Sequence, residues 1–335
     1  MNEQFVLRQR PVGLPSRDHL ELVRSARPEL TVQDELLLRT RYLSLDPYMY
    51  GRMAATQAYA APVELGEVIV GEAVSEVLES SSGLYSPGDL VTSRAGWQRY
   101  SVAPANTVNR VPDNGLSPTT ALGVLGMPGF TAYAAMTAFG RPTAGETVAV
   151  AAATGPVGSM AGQLARLAGA RVIGVAGGEQ KRNLLLEWGF DVALDHRSPY
   201  FSARLQAAAP EGIDVYLESV GGAVWQAVLP LLNAHARVPV IGLVSNYNGT
   251  SEPAPAGLGE RIMRTVLQKR LSLQGFVVGE FPPELWQRFH AELTGWVKDG
   301  SIRYQEHLLD DFTRAPEIFV DMLRGNNLGK TIVRV

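Results

Sequence analysis

The stretch "VAVAAATGPVGSMAGQLARLAGARVIGVAGGEQKR" (residues 148–182) decides the fold. It consists of a short apolar strand, a glycine turn, a helix with small and apolar residues at helical spacing, and a second apolar strand. Gly155 and Gly158 keep the spacing of the second and third glycines of the dinucleotide fingerprint, and Ala153 stands at the first position. Such a turn directs free N–H groups at a helix N-terminus towards a pyrophosphate. The stretch therefore predicts a dinucleotide site, and the alternative is a tight turn without a ligand.

The second strand of this stretch ends in glycine where many dinucleotide sites have an acid that binds the ribose hydroxyls. Gly177 and Gly178 leave room at this strand end, and Lys181 and Arg182 follow in the first turn of the next helix. A ribose 2′-phosphate would meet cations and amide donors together there. Two alternatives stay open: Glu179 takes the part of the acid, or Lys181 is a solvated surface residue.

Strands and helices continue to alternate along the second half of the chain. The segments are "FDVALD", "YFSARLQAAA", "GIDVYLESV", "AVWQAVLPLLN" and "ARVPVIGLV", then a strand at 271–278 and a helix in "PPELWQRFHAELTGWVKDG". This alternation predicts βαβ units and a parallel sheet, and Gly162 is expected to let its helix approach that sheet.

The first part of the chain has a different pattern. Several short strands with Gly and Pro between them predict a partly closed β-barrel over residues 1–125, and the strand–helix–strand tail at 300–335 is predicted to return to it. Residues 126–299 then form the inserted nucleotide domain. The fold class is α/β: a partly closed β-barrel plus a doubly wound parallel sheet of the dinucleotide-binding type.

Composition narrows the functional classes. The chain has 335 residues, 46% of them hydrophobic, a net charge of -3 and no cysteine. The length predicts about two domains, the absence of a basic tract argues against nucleic acid as a partner, and the lack of cysteine excludes disulfides and thiolate chemistry. The N-terminus has no apolar signal-peptide core and no apolar run approaches the roughly 20 residues of a membrane span, so we expect a soluble cytoplasmic protein.

Histidine spacing bears on the reaction. The five histidines, at positions 19, 196, 235, 290 and 307, form no tight cluster, so we predict no catalytic zinc and no other metal. Reduction of a polarised C=C bond or of a quinone needs no metal, but it needs a hydrogen-bond donor where charge develops on the carbonyl oxygen. Tyr247, just past the strand in "VIGLVSNYN", is the candidate for this catalytic role. The alternative is a loop tyrosine packed on its neighbours.

Six segments in order resemble one family over nearly the whole chain. They are "SLDPYMYGRM" (44–53), "GMPGFTAY" (126–133), "AAATGPVGSMAGQLARLAGARVIGVAGG" (151–178), "GLVSNYN" (242–248), "GFVV" (275–278) and "GNNLGKTIV" (325–333). The chain resembles the zinc-independent medium-chain dehydrogenase/reductases. Within them it is most similar to the branch of leukotriene B4 12-hydroxydehydrogenase/15-oxo-prostaglandin 13-reductases, plant double-bond reductases and bacterial curcumin reductase.

The resemblance implies that the barrel is a GroES-like domain and that the doubly wound parallel sheet is a Rossmann domain. It also implies an NADPH-dependent reductase that acts on the C=C bond of α,β-unsaturated ketones and aldehydes, and that is a homodimer joined through its nucleotide domains. It places Lys181 and His196 at the 2′-phosphate, directs Tyr247 at the substrate carbonyl, and lines the substrate cleft with Tyr48 and Tyr59. A quinone reductase on the same fold is the close alternative. A non-catalytic NADPH-binding protein is the alternative from another class.

The same resemblance implies further cofactor contacts and shows three departures. The contacts are Met127, Pro128, Thr154, Gly155, Pro156, Val157, Gly158, Gly177, Ser219, Ile241, Gly242, Leu243, Ser245, Tyr247, Phe276, Val277, Val278 and Asn327. Tyr50 replaces an arginine of the family pattern, so we expect this substrate-cleft position to change substrate preference. Ser219 replaces an asparagine and His196 a tyrosine. We expect these two replacements to weaken cofactor binding or to alter its pH dependence, since His titrates near neutrality.

Overall fold

The computed structural model describes residues 1–54, 60–247 and 256–335. The chain divides into two compact units. Unit 1 contains residues 1–123 and 306–335 together with Tyr247, and unit 2 contains 124–246 and the described part of 250–305. Across the described ranges, none of the helices has the length and apolar character that a membrane span requires. The domain boundaries expected from the sequence, after residues 125 and 299, remain predictions.

The N-terminal part of unit 1 is mostly β-structure. Its elements are β1 (Asn2–Leu7), β2 (Leu20–Ser25), β3 (Glu35–Ser44), α1 (Tyr48–Ala54), β4 (Ala73–Ser80), β5 (Leu90–Ser93), β6 (Tyr100–Pro104) and β7 (Asn109–Arg110). Short 3-10 turns lie at Arg17–His19, Ala105–Thr107 and Pro118–Leu122.

Unit 2 alternates strands and helices. Its elements are α2 (Met127–Ala134), a π-helical turn (Ala135–Gly140), β8 (Thr147–Val150), α3 (Pro156–Leu167), β9 (Arg171–Val175), α4 (Glu179–Glu187), β10 (Val192–Leu194), α5 (Phe201–Ala208), β11 (Ile213–Leu217), α6 (Gly222–Val228), β12 (Leu232–Val240), α7 (Leu258–Lys269), β13 (Ser272–Gly275) and α8 (Pro283–Lys298). Its 3-10 turns are Leu229–Leu231, Val244–Asn246 and Val278–Glu280.

The tail completes unit 1 with β14 (Glu306–Leu309), a 3-10 turn at Phe312–Arg314, α9 (Ala315–Leu323) and β15 (Lys330–Arg334). The main sheet of unit 1 has the order β14-β15-β3-β4-β5-β7, with β6 also paired to β3, and β1 and β2 form a separate antiparallel pair. Leucines of β3 are completely buried in its core. A partly closed barrel results.

The sheet of unit 2 is parallel and has the order β10-β9-β8-β11-β12-β13. Numbered from β8, this is the strand order 3-2-1-4-5-6 of dinucleotide-binding folds. All four residues of β8 are buried, as expected for a strand covered by helices on both faces. The predicted fold class, a GroES-like barrel plus a Rossmann sheet, is confirmed.

Glycines allow close packing around α3. A Cβ atom added at Gly162 would lie 2.1 Å from Cζ of Phe190, and one at Gly174 of β9 would lie 2.8 Å from Cδ1 of the same ring. The space that Gly162 leaves open is therefore filled by the Phe190 ring, which precedes β10, rather than by the backbone of the sheet.

Two elements differ from the sequence prediction. The strand expected over 271–278 ends at Gly275, and Val278 already begins a 3-10 turn. Helix α7 was not predicted; its Ile262 and Val266, four residues apart, pack against the core of unit 2. The Pro- and Gly-rich stretch before α7 carries no pattern that marks where this helix begins.

Candidate functional site

The predicted cofactor positions of unit 2 lie where its parallel strands end. Thr154 to Gly158 follow β8, Gly177 follows β9, His196 follows β10, Ser219 follows β11, and two further groups follow β12 and β13. Those two groups are Ile241, Gly242, Leu243 and Ser245, and Phe276, Val277 and Val278. Because all six strands are parallel, their carboxyl ends lie on the same side of the sheet, and ligands of such folds bind at these carboxyl ends.

The glycine turn is tightly closed. Ala152 has a φ of 46°, in the left-handed region that is rare for alanine, and the amide of Ala153 donates to the carbonyl of Val175 at 3.0 Å. A Cβ atom at Gly158 would lie 2.6 Å from the carbonyl oxygen of Ala152 and 2.9 Å from Cα of Ala153. Glycine is therefore required at this position, and helix α3 begins directly against the turn with Pro156 and Val157 in its first two positions.

Segments after β11 and β12 are held together by backbone bonds. The amides of Ile241 and Val244 donate to the carbonyls of Glu218 and Ser219 at 2.9 and 3.1 Å. The Ser219 hydroxyl donates to the carbonyl of Ala151 at 3.2 Å, and that of Ser245 to the carbonyl of Val220 at 2.5 Å. Ser219 therefore ties its loop to the start of the glycine turn, a contact made by the residue that departs from the family pattern.

Aromatic rings surround the last cofactor segment. Phe276 packs on Phe139 and Phe281 at centroid distances of 5.1 and 5.5 Å, and Phe281 in turn packs on Phe130 at 5.8 Å. Phe130 belongs to α2, whose first two residues are the predicted contacts Met127 and Pro128. These rings connect the start of α2 with the segment after β13 inside unit 2.

The end of β9 is surrounded by basic side chains. Lys181 lies in the first turn of α4 and is half-buried, whereas His196 and Arg197 after β10 are exposed. The pKa of Lys181 is lowered by partial burial and by the charge of Arg197. The pKa of His196 is lowered by partial desolvation of its ring and by Arg197 and Lys181, although Asp195 acts in the opposite direction. Glu179, the alternative acid, is an exposed residue at the start of α4.

The predicted substrate and catalytic tyrosines that the structure describes belong to unit 1. Tyr48 and Tyr50 lie on α1, and Tyr50 is 4% exposed. Tyr247 is half-buried and packs against the same apolar cluster. The rings of Tyr50 and Tyr247 are stacked with centroids 6.3 Å apart and 19° between their planes. Tyr59 lies outside the described residues.

A buried ion pair follows β3 beside these tyrosines. Lys330 Nζ lies 2.5 Å from Oδ1 of Asp46 and donates to the carbonyl of Leu45 at 2.9 Å. Asp46 is 5% exposed and Lys330 is 3% exposed. Asn327, which with Tyr247 is one of two predicted cofactor contacts in unit 1, donates from Nδ2 to the carbonyl of Gly329 at 2.8 Å, just before this lysine.

Glu72 is a second carboxyl near this ion pair. Burial raises its pKa to about 7, and Asp46 adds to the rise while Lys330 and Arg94 oppose it. The pKa of the Tyr48 hydroxyl is also raised, mainly by burial and to a lesser extent by the charges of Asp46 and Glu72. Neither the ion pair nor Glu72 was among the predicted site residues. The carboxylate in "DPY" and the lysine in "LGK" are the only sequence signals for them.

The position of Glu72 leads to a pH prediction. Its folded pKa of about 7 exceeds the ordinary value of 4.5, so the folded state binds more protons between these values. Its contribution to stability is present below the lower value and is lost as pH rises through about 7. Glu72→Gln should remove this loss, raising the free energy of unfolding at pH 8 by at most about 3 kcal/mol. Urea unfolding at pH 5, 6, 7 and 8 measures the slope. Glu79→Gln, an exposed site on β4, is the matched control, and a Glu72→Gln protein with the wild-type slope would contradict the prediction.

Arg197 is the residue of unit 2 that sequence reasoning missed. It follows a predicted contact, His196, but a single arginine in a loop carries no pattern that identifies it. No group of three or more His, Cys, Asp or Glu side chains that could hold a metal ion occurs among the residues that the structure describes.

Comparison with known proteins gives one consistent family. The family described as "N-terminal domain of oxidoreductase" matches residues 3–111, and "Zinc-binding dehydrogenase" matches residues 156–295. NADPH-dependent curcumin reductase of Escherichia coli is 46% identical to this chain, and the match spans 100% of this chain and 97% of the reductase. The NADP(+)-dependent 2-alkenal reductase of Nicotiana tabacum is 33% identical over 100% of this chain and 97% of its own. A solved structure of CurA in complex with NADPH from Vibrio vulnificus is 43% identical, with a TM-score of 0.95 and 99% of each chain covered.

Proposed function

Because the chain belongs to the zinc-independent medium-chain dehydrogenase/reductases, we propose that it reduces the C=C bond of α,β-unsaturated ketones and aldehydes. It is an NADPH-dependent oxidoreductase. The observation that carries the substrate proposal is the half-buried Tyr247, stacked on the buried ring of Tyr50 in an apolar cluster. A neutral hydroxyl in such surroundings is suited to hydrogen-bond an oxygen on which charge develops.

The residues at the carboxyl ends of the parallel strands fit the cofactor. The N-terminus of α3 and the closed glycine turn suit a pyrophosphate, since a helix N-terminus offers amide donors to an anion and the missing side chain of Gly158 lets the turn close against α3. Lys181, His196 and Arg197 suit the 2′-phosphate, and we propose that the contacts listed for the strand ends hold the remainder. Asn327 is proposed as a further contact. When bound, NADPH supplies the hydride that the reaction consumes.

Tyr247 has one chemical task in this scheme. Addition of hydride to the β-carbon places negative charge on the carbonyl oxygen, and the Tyr247 hydroxyl donates a hydrogen bond to that oxygen. The α-carbon then takes a proton from solvent, so that the product carries two new C–H bonds. Tyr50 holds the ring of Tyr247 by stacking, which limits the orientations of its hydroxyl. Tyr48, Tyr50 and Tyr59 are proposed to line the substrate cleft.

A substrate panel tests the proposal directly. NADPH oxidation is followed with simple enones, simple enals and quinones, and the products are identified by mass spectrometry. We expect saturated carbonyl products and faster turnover of enones than of quinones. Turnover of quinones alone would indicate a quinone reductase, and binding of NADPH without oxidation by any acceptor would indicate a non-catalytic protein.

Lys181→Ala tests the cofactor preference. The wild type should prefer NADPH over NADH by at least roughly tenfold in kcat/KM, which corresponds to about 1.4 kcal/mol. The variant should lose NADPH efficiency and keep NADH efficiency, because only NADPH carries the phosphate that a charged lysine would contact. Raising the ionic strength should reduce the wild-type preference, since the contact is partly exposed. Equal loss with both cofactors would show that Lys181 is a general structural residue.

We also propose a homodimer joined through unit 2. Strand β13 ends the parallel sheet and all four of its residues are exposed. On the neighbouring helix α7, Met263 and Leu267 are 68% and 78% exposed, and Leu273 of β13 is 39% exposed. A second copy pairing with this edge would satisfy its backbone groups and cover these apolar side chains. Light scattering during size-exclusion chromatography measures the mass.

A further inference from the structure

Arg197 lies directly against the backbone at the end of β9. A Cβ atom added at Gly177 would be 2.6 Å from Nε, 2.8 Å from Cζ and 3.1 Å from Nη2 of Arg197. These three atoms belong to one planar guanidinium group, so the group packs against the face of the glycine. Any larger residue at position 177 would push the guanidinium away.

The backbone beneath this contact is held by one carboxylate. Asp195 accepts the amide of Gly178 on Oδ2 at 3.0 Å and the amide of Arg197 on Oδ1 at 2.9 Å. The ends of β9 and β10 are therefore tied together through Asp195. Among the described residues, these contacts to Asp195 come from backbone amides and not from the Arg197 guanidinium, so its N–H groups can donate to another group.

Two basic side chains, Lys181 and Arg197, lie near Gly177. Lys181 and Arg197 are close enough that the arginine lowers the pKa of the lysine. Within residues 1–54, 60–247 and 256–335, no carboxylate forms an ion pair with the Arg197 guanidinium, and Asp195 is the acid nearest in the chain. Two cations that repel each other beside the same glycine favour binding of a multiply charged anion.

We propose that Arg197 is a main selectivity residue for the 2′-phosphate of NADPH, and that Gly177 serves as the platform that holds its guanidinium in place. This inference rests on the proposed function, because it assumes that this strand end binds the adenosine part of NADPH. A guanidinium can donate two parallel hydrogen bonds to a phosphate, whereas the ammonium of Lys181 acts as a point charge. Gly177 thus has a second role besides leaving space for the phosphate.

Binding of two nucleotide fragments isolates the contact. Adenosine 2′,5′-bisphosphate and adenosine 5′-monophosphate differ only by the 2′-phosphate, and their affinities are measured by isothermal titration calorimetry on the full chain. R197Q should weaken binding of the bisphosphate about tenfold or more, which is the range for a hydrogen bond to a charged group. Binding of the monophosphate should stay within twofold, which also reports that the variant is folded.

Two further variants test the platform. G177A should weaken bisphosphate binding in the wild-type background, because its Cβ displaces the flexible guanidinium, but it should add no further loss in the R197Q background. R171Q is the matched control, since Arg171 is an exposed arginine at the opposite end of β9, and it should change neither affinity.

The possible results separate this inference from the proposed function. A wild type that binds both fragments equally would overturn NADPH dependence and this inference together. A wild type that prefers the bisphosphate, combined with an R197Q variant that keeps the whole preference, would overturn the role of Arg197 alone. A G177A effect of equal size in the R197Q background would show that position 177 acts on the phosphate without Arg197, and would overturn the platform.

Discussion

Tyr247→Phe is expected to lower kcat for enone reduction about a hundredfold and to leave the affinity for NADPH nearly unchanged. One hydroxyl, on a ring stacked on Tyr50 in an apolar cluster, is proposed to stabilise the charge that develops on the substrate oxygen. Loss of one such donor typically costs about 3 kcal/mol of transition-state stabilisation. The substitution keeps the ring, so the stacking with Tyr50 and the packing of unit 1 should be retained.

Steady-state kinetics with one enone and fluorescence titration with NADPH separate the two quantities. Tyr200→Phe provides the matched control, because Tyr200 is 67% exposed and also loses only a hydroxyl. If the 2′-hydroxyl of the nicotinamide ribose replaces the missing donor, the loss in kcat will be smaller. Enone kinetics within twofold of the wild type would remove Tyr247 from the mechanism, and an equal loss in NADPH affinity would make it a cofactor ligand.

Lys330→Met is expected to lower the free energy of unfolding by about 3–5 kcal/mol. The variant leaves the carboxylate of Asp46 buried without its cation, and it removes a positive charge that opposes the raised pKa of Glu72. The penalty arises from the uncompensated carboxylate rather than from the lost attraction alone. Urea unfolding followed by tryptophan fluorescence measures the change, and Trp97 reports on unit 1 because it lies in the apolar core of that unit.

The same strand supplies the control. Arg334, at the other end of β15, forms an ion pair with Asp310, and these side chains are 52% and 74% exposed. Arg334→Met should therefore change stability by less than about 1 kcal/mol. A double variant, Asp46→Asn with Lys330→Met, should recover part of the loss, because it removes the buried charge. Equal losses in the free energy of unfolding for Lys330→Met and Arg334→Met would show that the buried pair contributes no more to stability than the exposed pair.

The glycine turn illustrates what local sequence predicts well. An apolar strand, a turn with Gly155 and Gly158 and a helix with small residues are read within 20 residues, and the structure has β8, the turn and α3 in that order. The order of the six parallel strands also agrees with the predicted fold. The boundary of β13 and the presence of α7 were less predictable, since short apolar runs do not distinguish a strand end from a turn.

By itself, the sequence determined the class of this protein: a Rossmann sheet with a glycine turn after its first strand, a second strand followed by two glycines, and a barrel of short strands. These features depend on residues that are neighbours in the chain, where φ preference, hydrophobic periodicity and glycine spacing act directly. Only the tertiary structure decided that Tyr50 stacks on Tyr247, that Lys330 pairs with Asp46, and that Arg197 lies on Gly177. Each of these contacts joins residues 20 to nearly 300 positions apart. Burial and charge pairing between distant segments arise from packing, for which no local pattern encodes the partner.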